Sequence, residues 1–598
     1  MSRNENYRFD LAPQAEIRRS TFKGLSHSLK TSFNVGDLIP ILCEPIYPGD
    51  TFKISSSKIV RMQTLLVPLM DNVFMDVYYF FVPNRLIWEH FEQFAGGSIP
   101  EESPFLPVPD YQIPQITAPA GGFDIGSLAD YLGYPTGVSC KATALPMRAY
   151  AKIYNDWFRD ENLQNYYTMD YGDADILAIK DNVEEIDYFK YGYKPGKVNK
   201  YHDYFTSCLL APQKGPDVLL PLAKGGEFPV TTSSFVNDAY MAGNFIDYDA
   251  INNAYPISYG TFTEASVPGE RMYQGFVQVG ESNQGNTNDI FFPSAQVGAR
   301  WDQKIAKTDG NGYSFDIHTL ETTAANHGKK LITPINLVAP VTDASFTINS
   351  LRQAFQIQRL LEKDSRGGTR YIEQLKVHFG VTSPDARLQR SEYLGGSRFP
   401  INIHQVTQTS STDETSPLGE TAALSVTKDI HDDINKSFVE HGLLIGLAAV
   451  RYEHTYQYGL PRWMSAQDRY DFYWPVFANL GEMSVKNKEI YCTGVSQIDD
   501  QVFGYQEAYA DLRYSPSRVT GEMRSSAPLS LDVWHLADKY DELPHLSAEW
   551  IQEDKSNVDR VLAVQSDTSN QVFADIYFDI KATRAMPLYS VPGFIDHF

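Results

Sequence analysis

The sequence predicts an all-β fold in which one system of sheets is interrupted by long insertions that carry helices. The 598 residues include 37 tyrosines and 34 phenylalanines, and aromatic residues are enriched in strands. The segment VEHGLLIGLAAVRYEHTYQYGL, residues 439–460, passes from an apolar run into alternating aromatic and polar residues. Strand-like segments also lie near both ends of the chain, which indicates one sheet system rather than a string of separate domains.

The 22-residue segment quoted above predicts a strand rather than a membrane helix. Its uninterrupted apolar part, residues 443–450, is only eight residues long, whereas a helix that crosses a bilayer needs about 20. Beyond it, Tyr452, His454, Tyr456 and Tyr458 alternate with polar residues and share one face of a pleated strand. We expect one long strand, buried at its start and two-faced at its end, and no membrane insertion.

Other elements follow in order along the first part of the chain. Residues 33–82 contain several strand-like stretches separated by turn residues such as those of YPGD. Apolar residues at helical spacing predict short amphipathic helices over residues 86–94 and 147–158. The proline-rich and glycine-rich residues 100–136 predict an ordered loop.

Residues 231–330 differ in composition from the segments on either side. They contain ten glycines and nine asparagines and carry a net charge of −5. So long an insertion in a compact fold is usually functional or disordered, and its aromatic residues favour order, in short pieces rather than long strands. After it, Asn349 and Ser350 predict the start of a helix. Strands are expected to resume around the segments YIEQLKVHFGV, FPINIHQVTQ and QVFADIYFDIKATR.

The net charge of −23 argues against a simple nucleic-acid-binding domain, yet two regions are basic. Residues 1–35 hold six Lys/Arg against three Asp/Glu, and residues 351–400 hold nine against five. We therefore expect two unlike surfaces on one molecule. The predicted organisation is a basic arm over residues 1–35, a core in two parts over 36–230 and 331–598, and an inserted segment over 231–330.

Motifs of common enzymes and metal sites are missing from the sequence. There is no GxxxxGK[ST], HExxH or GxSxG, and the four cysteines have neither zinc-site nor disulfide-framework spacing, which fits a reducing compartment. The first residues have no apolar core of signal-peptide type, so no secretion is expected. In the calcium-like loop from Asp309, Tyr313 and Ser314 replace a ligand and the turn glycine. We expect no cofactor and no metal.

Two pairs of acidic residues are the remaining catalytic candidates. Glu184 with Glu185 and Asp173 with Asp175 offer paired carboxylates of the kind that glycoside cleavage needs. Because the chain has 74 acidic residues, chance pairs on a solvated surface explain them better. His404, His441 and His454 alternate with apolar or aromatic residues, and we interpret them as core or interface residues. The sequence therefore predicts a protein that is not an enzyme.

Four long motifs resemble the major capsid proteins of gokushoviruses, small single-stranded DNA phages of the microvirus family. They are TSFNVGDLIP (31–40), MDNVFMDVYYFFVPNRLIW (70–88), RGGTRYIEQLKVHFGVTSPDARLQRSEYLGG (366–396) and DRYDFYWPVFANLGE (468–482). They occur in the order of that family, and the resemblance covers nearly the whole chain. It implies a viral jelly roll of two antiparallel sheets, assembled into a T=1 icosahedral shell around circular single-stranded DNA, with an insertion that projects at the threefold axes.

The resemblance also implies partners, and basic and aromatic residues of the sequence supply the candidates for contacting them. The partners are other copies of the chain, the circular DNA genome, minor virion proteins such as a DNA pilot protein and a small DNA-binding or scaffolding protein, and a bacterial surface receptor. Assembly would take place in the host bacterial cytoplasm, and the protein would then reside in the virion. The candidates for lining the DNA are Arg18, Arg19, Lys23, Arg387, Arg390, Tyr393 and Arg398; for subunit contacts, Tyr452, Tyr456 and Tyr458; and for the protrusion, Tyr273, Phe276, Asn283 and Asn286.

The residues alone leave open one alternative to the DNA-lining role and one to the capsid function. Contacts between subunits explain the arginines near Tyr393 as well as DNA contacts do. A β-rich carbohydrate-active enzyme or a carbohydrate-binding or adhesive protein would share the composition. An enzyme would need an essential carboxylate pair, and an adhesin would need a secretion signal.

Overall fold

The computed structural model describes two compact units, Met1–Pro216 with Leu360–Phe598 and Asp217–Arg359. The described residues are 18–95, 111–168, 170–178, 194–216, 218, 231–232, 278–281, 287–292, 301–308, 312–319, 337–338, 348–367, 376–380, 389–407, 409 and 421–589. The predicted insertion 231–330 falls within the limits of the second unit, and its role as a protrusion stays a prediction.

The first unit is built on nine main strands and one packed helix. The strands are β1 (Ser20–Phe22), β2 (His27–Phe33), β3 (Ile39–Ile46), β4 (Thr51–Met62), β5 (Val73–Pro83), β6 (Glu392–Pro400), β7 (Thr427–Ser437), β8 (Gly442–Tyr452) and β9 (Val572–Arg584). The packed helix, α1, spans Leu145–Ile153 and continues as a π-helical turn over Tyr154–Phe158.

Two antiparallel sheets form from these strands. In the first sheet the order is β2, β9, β4, β7, with β1 also paired to β9; in the second it is β3, β8, β5, β6. A five-stranded and a four-stranded antiparallel sheet that enclose one core are the double-sheet arrangement of a jelly roll. The all-β jelly-roll prediction is therefore confirmed, with β2 and β9 bringing the two ends of the chain side by side.

The core lies between the two sheets because their strands alternate. In β4, Phe52, Ile54 and Val60 point inward and are buried, while Lys53 and Ile59 point to solvent. Burial of such side chains stabilises the fold by roughly 1.5–3 kcal/mol each.

The second sheet is buried on both faces along β8. Leu444 and Val450 pack between the sheets, whereas Leu443 and Ile445 pack in a second cluster with Tyr150 of α1. This double burial explains why the apolar run is unbroken rather than alternating.

The strand at 442–452 is shorter than predicted. It ends at Tyr452, whose partner across the sheet is Val73, the first residue of β5. With no neighbouring strand beyond that point, the chain leaves the sheet, and Thr455–Tyr456 forms a separate short pairing with Ser517–Arg518.

Two other predicted elements differ from the structure. Residues 376–379 of the predicted strand YIEQLKVHFGV are helical. The Gly380 amide closes this turn on the Lys376 carbonyl, and a φ of 68° at Gly380 suits the end of a helix. The helix predicted over 86–94 is two short pieces, Asn84–Leu86 and Phe91–Phe94. The long helix after the insertion is confirmed as α2, Ile348–Gly367.

Short elements connect the sheets of the first unit. They are the strands Gln115–Thr117, Lys141–Thr143, Ile176–Leu177, Ile403–Thr407, Thr421–Ser425, Glu482–Lys486 and Val502–Glu507, and the helical turns Leu128–Tyr131, Arg462–Ser465, Pro475–Phe477, Asn487–Ile490, Ser496–Asp499, Ala510–Leu512, Gly521–Met523, Asp532–Trp534, Ala548–Ile551 and Ser556–Asp559.

The second unit contains a four-stranded antiparallel sheet. Its strands pair in chain order: Gln278–Glu281, Thr287–Phe292, Trp301–Thr308 and Gly312–Thr319. A two-stranded pair, Thr231–Thr232 with Leu337–Val338, lies near the ends of this unit. The expectation of short pieces is wrong for the two eight-residue strands, because the alternation in GYSFDIHT already has the period of a strand.

Candidate nucleic-acid interface

A charged cluster lies on the face of the second sheet that points away from the first sheet. Asp76 of β5 points outward because its neighbours Met75 and Val77 point into the core. The Arg398 Nε donates to Asp76 Oδ1 at 2.6 Å, and the Arg451 Nε donates to Asp76 Oδ2 at 3.0 Å. Arg398 is the cross-strand partner of Asp76 in β6.

Two tyrosines complete the group that we call the Asp76 cluster: Asp76, Tyr78, Tyr201, Arg398 and Arg451. The Tyr201 ring contacts both guanidinium groups, with its centroid 4.3 Å from that of Arg398 and 4.2 Å from that of Arg451. The hydroxyls of Tyr201 and Tyr78 donate to Asp76 Oδ2 at 2.9 and 3.1 Å. The cation–π contacts and hydrogen bonds hold both arginines in place.

The Asp76 cluster carries a net positive charge. Burial alone would raise the pKa of Asp76, but the charges of Arg451 and Arg398 outweigh burial and lower it, so the carboxyl is ionised. One carboxylate then faces two guanidinium groups. The Asp76 side chain is 2% exposed and that of Arg398 is 52% exposed, so the accessible charge is that of Arg398.

A second group joins a guanidinium to exposed rings. The Arg390 guanidinium lies 4.5 Å from the Trp157 ring, which is 5.8 Å from the ring of Tyr393. The Trp157 indole N–H donates to the Ser391 carbonyl at 3.1 Å, and Tyr393 packs on Phe80 at 5.4 Å between ring centroids. Tyr393 and Trp157 both keep exposed surface.

Both groups are positioned by one edge strand. Strand β6 pairs Arg398 with Asp76 and Tyr393 with Phe80, and a bulge lies between Tyr393 and Gly395. Guanidinium groups bind phosphate oxygens, and exposed rings stack on unpaired bases. This edge can therefore hold a single nucleic-acid strand without reading its sequence.

The structure places the remaining predicted residues as follows. Arg18, Arg19 and Lys23 are exposed, before and after β1. Arg387 lies outside the described residues, as do Tyr273, Phe276, Asn283 and Asn286.

The tyrosines predicted to contact a neighbouring subunit differ in burial. Tyr452 is fully buried in the core, and Tyr456 is buried among Phe205 and its neighbours. Because neither has surface to offer a second chain, the expectation is corrected for both. Tyr458 is half-buried and packs on Tyr491, and its predicted role stays open.

The paired carboxylates that fall within the structure have structural partners. Asp173 accepts the Trp88 indole N–H at 2.6 Å, and Asp175 pairs with Lys141 at 2.7 Å. Glu184 and Glu185 lie outside the described residues. In the part of the chain that the structure describes, there is no group of three or more metal-ligating side chains and no helix of the length and apolarity that a bilayer crossing requires.

Sequence reasoning missed the residues that organise the site. Arg451 falls among the polar residues that alternate with the aromatic residues of the predicted strand, and Asp76 stands inside an apolar motif. Tyr201 and Trp157 come from segments distant in sequence, and no local pattern brings them to β6. A charged residue inside an apolar strand was the one usable signal, because such a charge requires a partner.

Comparison with known proteins identifies the family. The family model described as Capsid protein (F protein) matches residues 12–594. Capsid protein VP1 of Spiroplasma virus 4 is 41% identical over 578 residues, which are 95% of this chain and 94% of that protein. Capsid protein VP1 of Chlamydia phage 1 is 39% identical over 98% of this chain and 97% of its own length. Capsid protein VP1 of Bdellovibrio phage phiMH2K is 38% identical over 100% of this chain and 99% of its own length. The chain therefore belongs to the phage capsid protein (F protein) family, the microvirus coat proteins that its four long motifs resemble.

Proposed function

We propose that this capsid protein assembles with copies of itself into a closed T=1 icosahedral shell that packages circular single-stranded DNA. Membership of a capsid family supports assembly. The observation that carries the DNA role is that the half-exposed Arg398 lies on the same edge strand as the exposed ring of Tyr393. The proposal gives the chain a structural role, with assembly in the host bacterial cytoplasm, and assigns no catalytic residue.

The electrostatics of the edge suit a polyanion despite the acidity of the whole chain. Asp76 neutralises only one of its two arginines, so phosphate meets a fixed positive charge rather than a flexible side chain. Because Arg398 and Arg451 are already ordered by Tyr201, binding costs little further conformational entropy. The exposed residues Arg18, Arg19 and Lys23 offer a second contact of the same kind.

The affinity of the protein for single-stranded DNA should depend on the salt concentration through the arginines of this edge. Wild-type protein is expected to form closed shells in electron micrographs and to bind single-stranded DNA with a strong dependence on salt. Replacing Arg390 and Arg398 together with glutamine removes two phosphate contacts, so the log–log slope of affinity against salt should become shallower by about 1.4. Fluorescence anisotropy with a labelled oligonucleotide measures this slope.

Arg61→Gln is the matched control, because Arg61 is exposed on the outward face of β4 in the other sheet. It should leave the slope nearly unchanged. An unchanged slope in the double variant, combined with failure to form shells, would assign these arginines to a subunit contact. The DNA lining would then have to be sought in the N-terminal arm.

We further propose that the inserted unit, Asp217–Arg359, contacts the surface of the host. Its support is its sequence, which is rich in glycine and asparagine and interrupts the jelly roll. Minor virion proteins, including a DNA pilot protein and a small DNA-binding or scaffolding protein, complete the proposed particle.

Deleting residues 233–326 and joining the ends with a short Gly/Ser bridge should leave the core folded and abolish adsorption to host cells. Adsorption assays with phage carrying the deletion, and circular dichroism of the purified chain, provide the two measurements. Normal adsorption would refute the receptor role, and an unfolded core would assign the segment to the scaffold.

A further inference from the structure

One segment of the first unit, residues 463–480, exposes several large apolar side chains close together in sequence. The exposed side chains that we call the aromatic ridge are Trp463, Tyr470, Phe472, Trp474, Val476 and Leu480. Contiguous apolar patches on soluble proteins usually mark an interaction site. Val476 is 88% exposed, and Trp463, Tyr470 and Phe472 are each 63% exposed, so most of the surface of these side chains is accessible to a partner.

The ridge is ordered although it has almost no regular secondary structure. The Trp474 indole N–H donates to the Arg469 carbonyl at 2.8 Å, and the Arg469 guanidinium lies over the rings of Tyr470 and Trp474 at 5.5 and 5.8 Å. The Tyr470 amide donates to Asp468 Oδ1 at 2.7 Å. Exposed rings that are already fixed lose little entropy on docking, as at interaction hot spots.

The charge of the ridge favours a second copy of the chain over a nucleic acid as its partner. Residues 462–482 contain two arginines and three acidic residues, a net of −1, which does not favour a nucleic acid. Two copies of a chain with a net charge of −23 repel each other, so their contact is best made where the surface is apolar and nearly neutral. Trp, Tyr, Phe and Arg are the residues enriched at subunit interfaces.

We infer that the aromatic ridge docks onto a second copy of this chain and is a principal subunit contact of the shell. The inference rests on the proposed assembly and names the surface that carries it. Because Tyr470 and Trp474 are already held by contacts within the ridge, its contribution comes mainly from removing exposed side chains such as Phe472 and Val476 from water.

The test compares assembly of full-length variants. Phe472→Ala and, separately, Val476→Glu should each raise the critical concentration for shell formation by at least about tenfold, measured by light scattering and electron microscopy. Val439→Glu is the control, since Val439 is 83% exposed in the turn between β7 and β8. The control should assemble like wild type, and all three variants should unfold at the wild-type temperature.

The outcomes distinguish failure of the ridge as a subunit contact from failure of shell assembly itself. If wild-type protein forms shells and both ridge variants assemble at the same concentration as wild type, the inference is overturned while the proposed function stands. If the variants form shells but fail to incorporate a minor virion protein or to adsorb, the ridge serves another partner and the inference is again wrong. If wild-type protein forms no shells, both proposals fail. If Val476→Glu unfolds, Phe472→Ala, which adds no charge, decides alone.

Discussion

Replacing His454 with alanine should lower the free energy of unfolding of the jelly-roll unit by about 3–5 kcal/mol. The imidazole lies between two buried carboxylates, with Nδ1 2.8 Å from Asp538 Oδ1 and Nε2 3.2 Å from Glu553 Oε2. All three side chains are almost fully buried. Removing the ring leaves Glu553 without its ion-pair partner, and a buried charge without a partner is strongly destabilising.

Urea unfolding followed by tryptophan fluorescence measures this effect. His404→Ala is the control, because His404 is exposed in the strand Ile403–Thr407, and surface substitutions usually change stability by less than about 0.5 kcal/mol. If His454→Ala lowers the free energy of unfolding no more than His404→Ala does, the buried cluster has no structural role.

The same cluster gives stability a defined pH dependence. Burial alone would lower the pKa of His454, but the charges of Asp538 and Glu553 outweigh it and raise the pKa to about 10. This value lies above the ordinary value of about 6.5 in an unfolded chain. The contribution is therefore fully present below about pH 6.5 and declines by about 1.4 kcal/mol per unit as the pH rises towards 10.

The difference in stability between wild type and His454→Gln should accordingly shrink between pH 6.5 and pH 9.5. Lys200, 3.6 Å from Asp538, is present in both proteins, so the comparison isolates the histidine. A difference that stays constant over this interval would mean that His454 is neutral in the folded chain.

The sequence predicted the elements whose cause is local. The strand-like segment QVFADIYFDIKATR is β9 and the helical spacing over 147–158 is α1, because burial on one face imposes these periods on the chain. The polar residues Asn349 and Ser350 marked the start of α2. The long motifs identified the family. Interpreting His454 as a core residue also followed from its place between aromatic residues, and its burial confirms that interpretation.

The sequence could not predict features that depend on partners far along the chain. Tyr452 and Tyr456 resembled surface residues, yet helical turns from residues 530–560 and the loop at Phe205 cover them. The Asp76 cluster joins residues 76, 201, 398 and 451, which only the sheet pairing and loop packing bring together.

The partner of the buried Lys58 is another feature that the sequence could not predict. Alternation in β4 places it on the inward face with Ile54 and Val60, where a lysine is not expected. Its Nζ lies 3.0 Å from Asp429 Oδ2 and 3.9 Å from Asp433 Oδ1. A bulge between Asp432 and Ile434 in β7 turns Asp433 inward, so the partner depends on an irregularity that no periodic pattern contains.

Replacing Lys58 with methionine should lower the free energy of unfolding by about 3–5 kcal/mol, because the fully buried Asp433 then loses the Lys58 ammonium and keeps only the partly exposed His431 as a basic neighbour. Lys53→Met on the exposed face of the same strand should change it by less than about 0.5 kcal/mol. Adding Asp433→Asn to Lys58→Met should recover most of the loss, since the neutral amide still accepts the Tyr79 hydroxyl, now 3.1 Å from Asp433 Oδ2. Urea titrations of the three variants measure these differences. If the double variant is no more stable than Lys58→Met alone, the loss comes from packing around the lysine stem rather than from a buried carboxylate that has lost its ammonium partner.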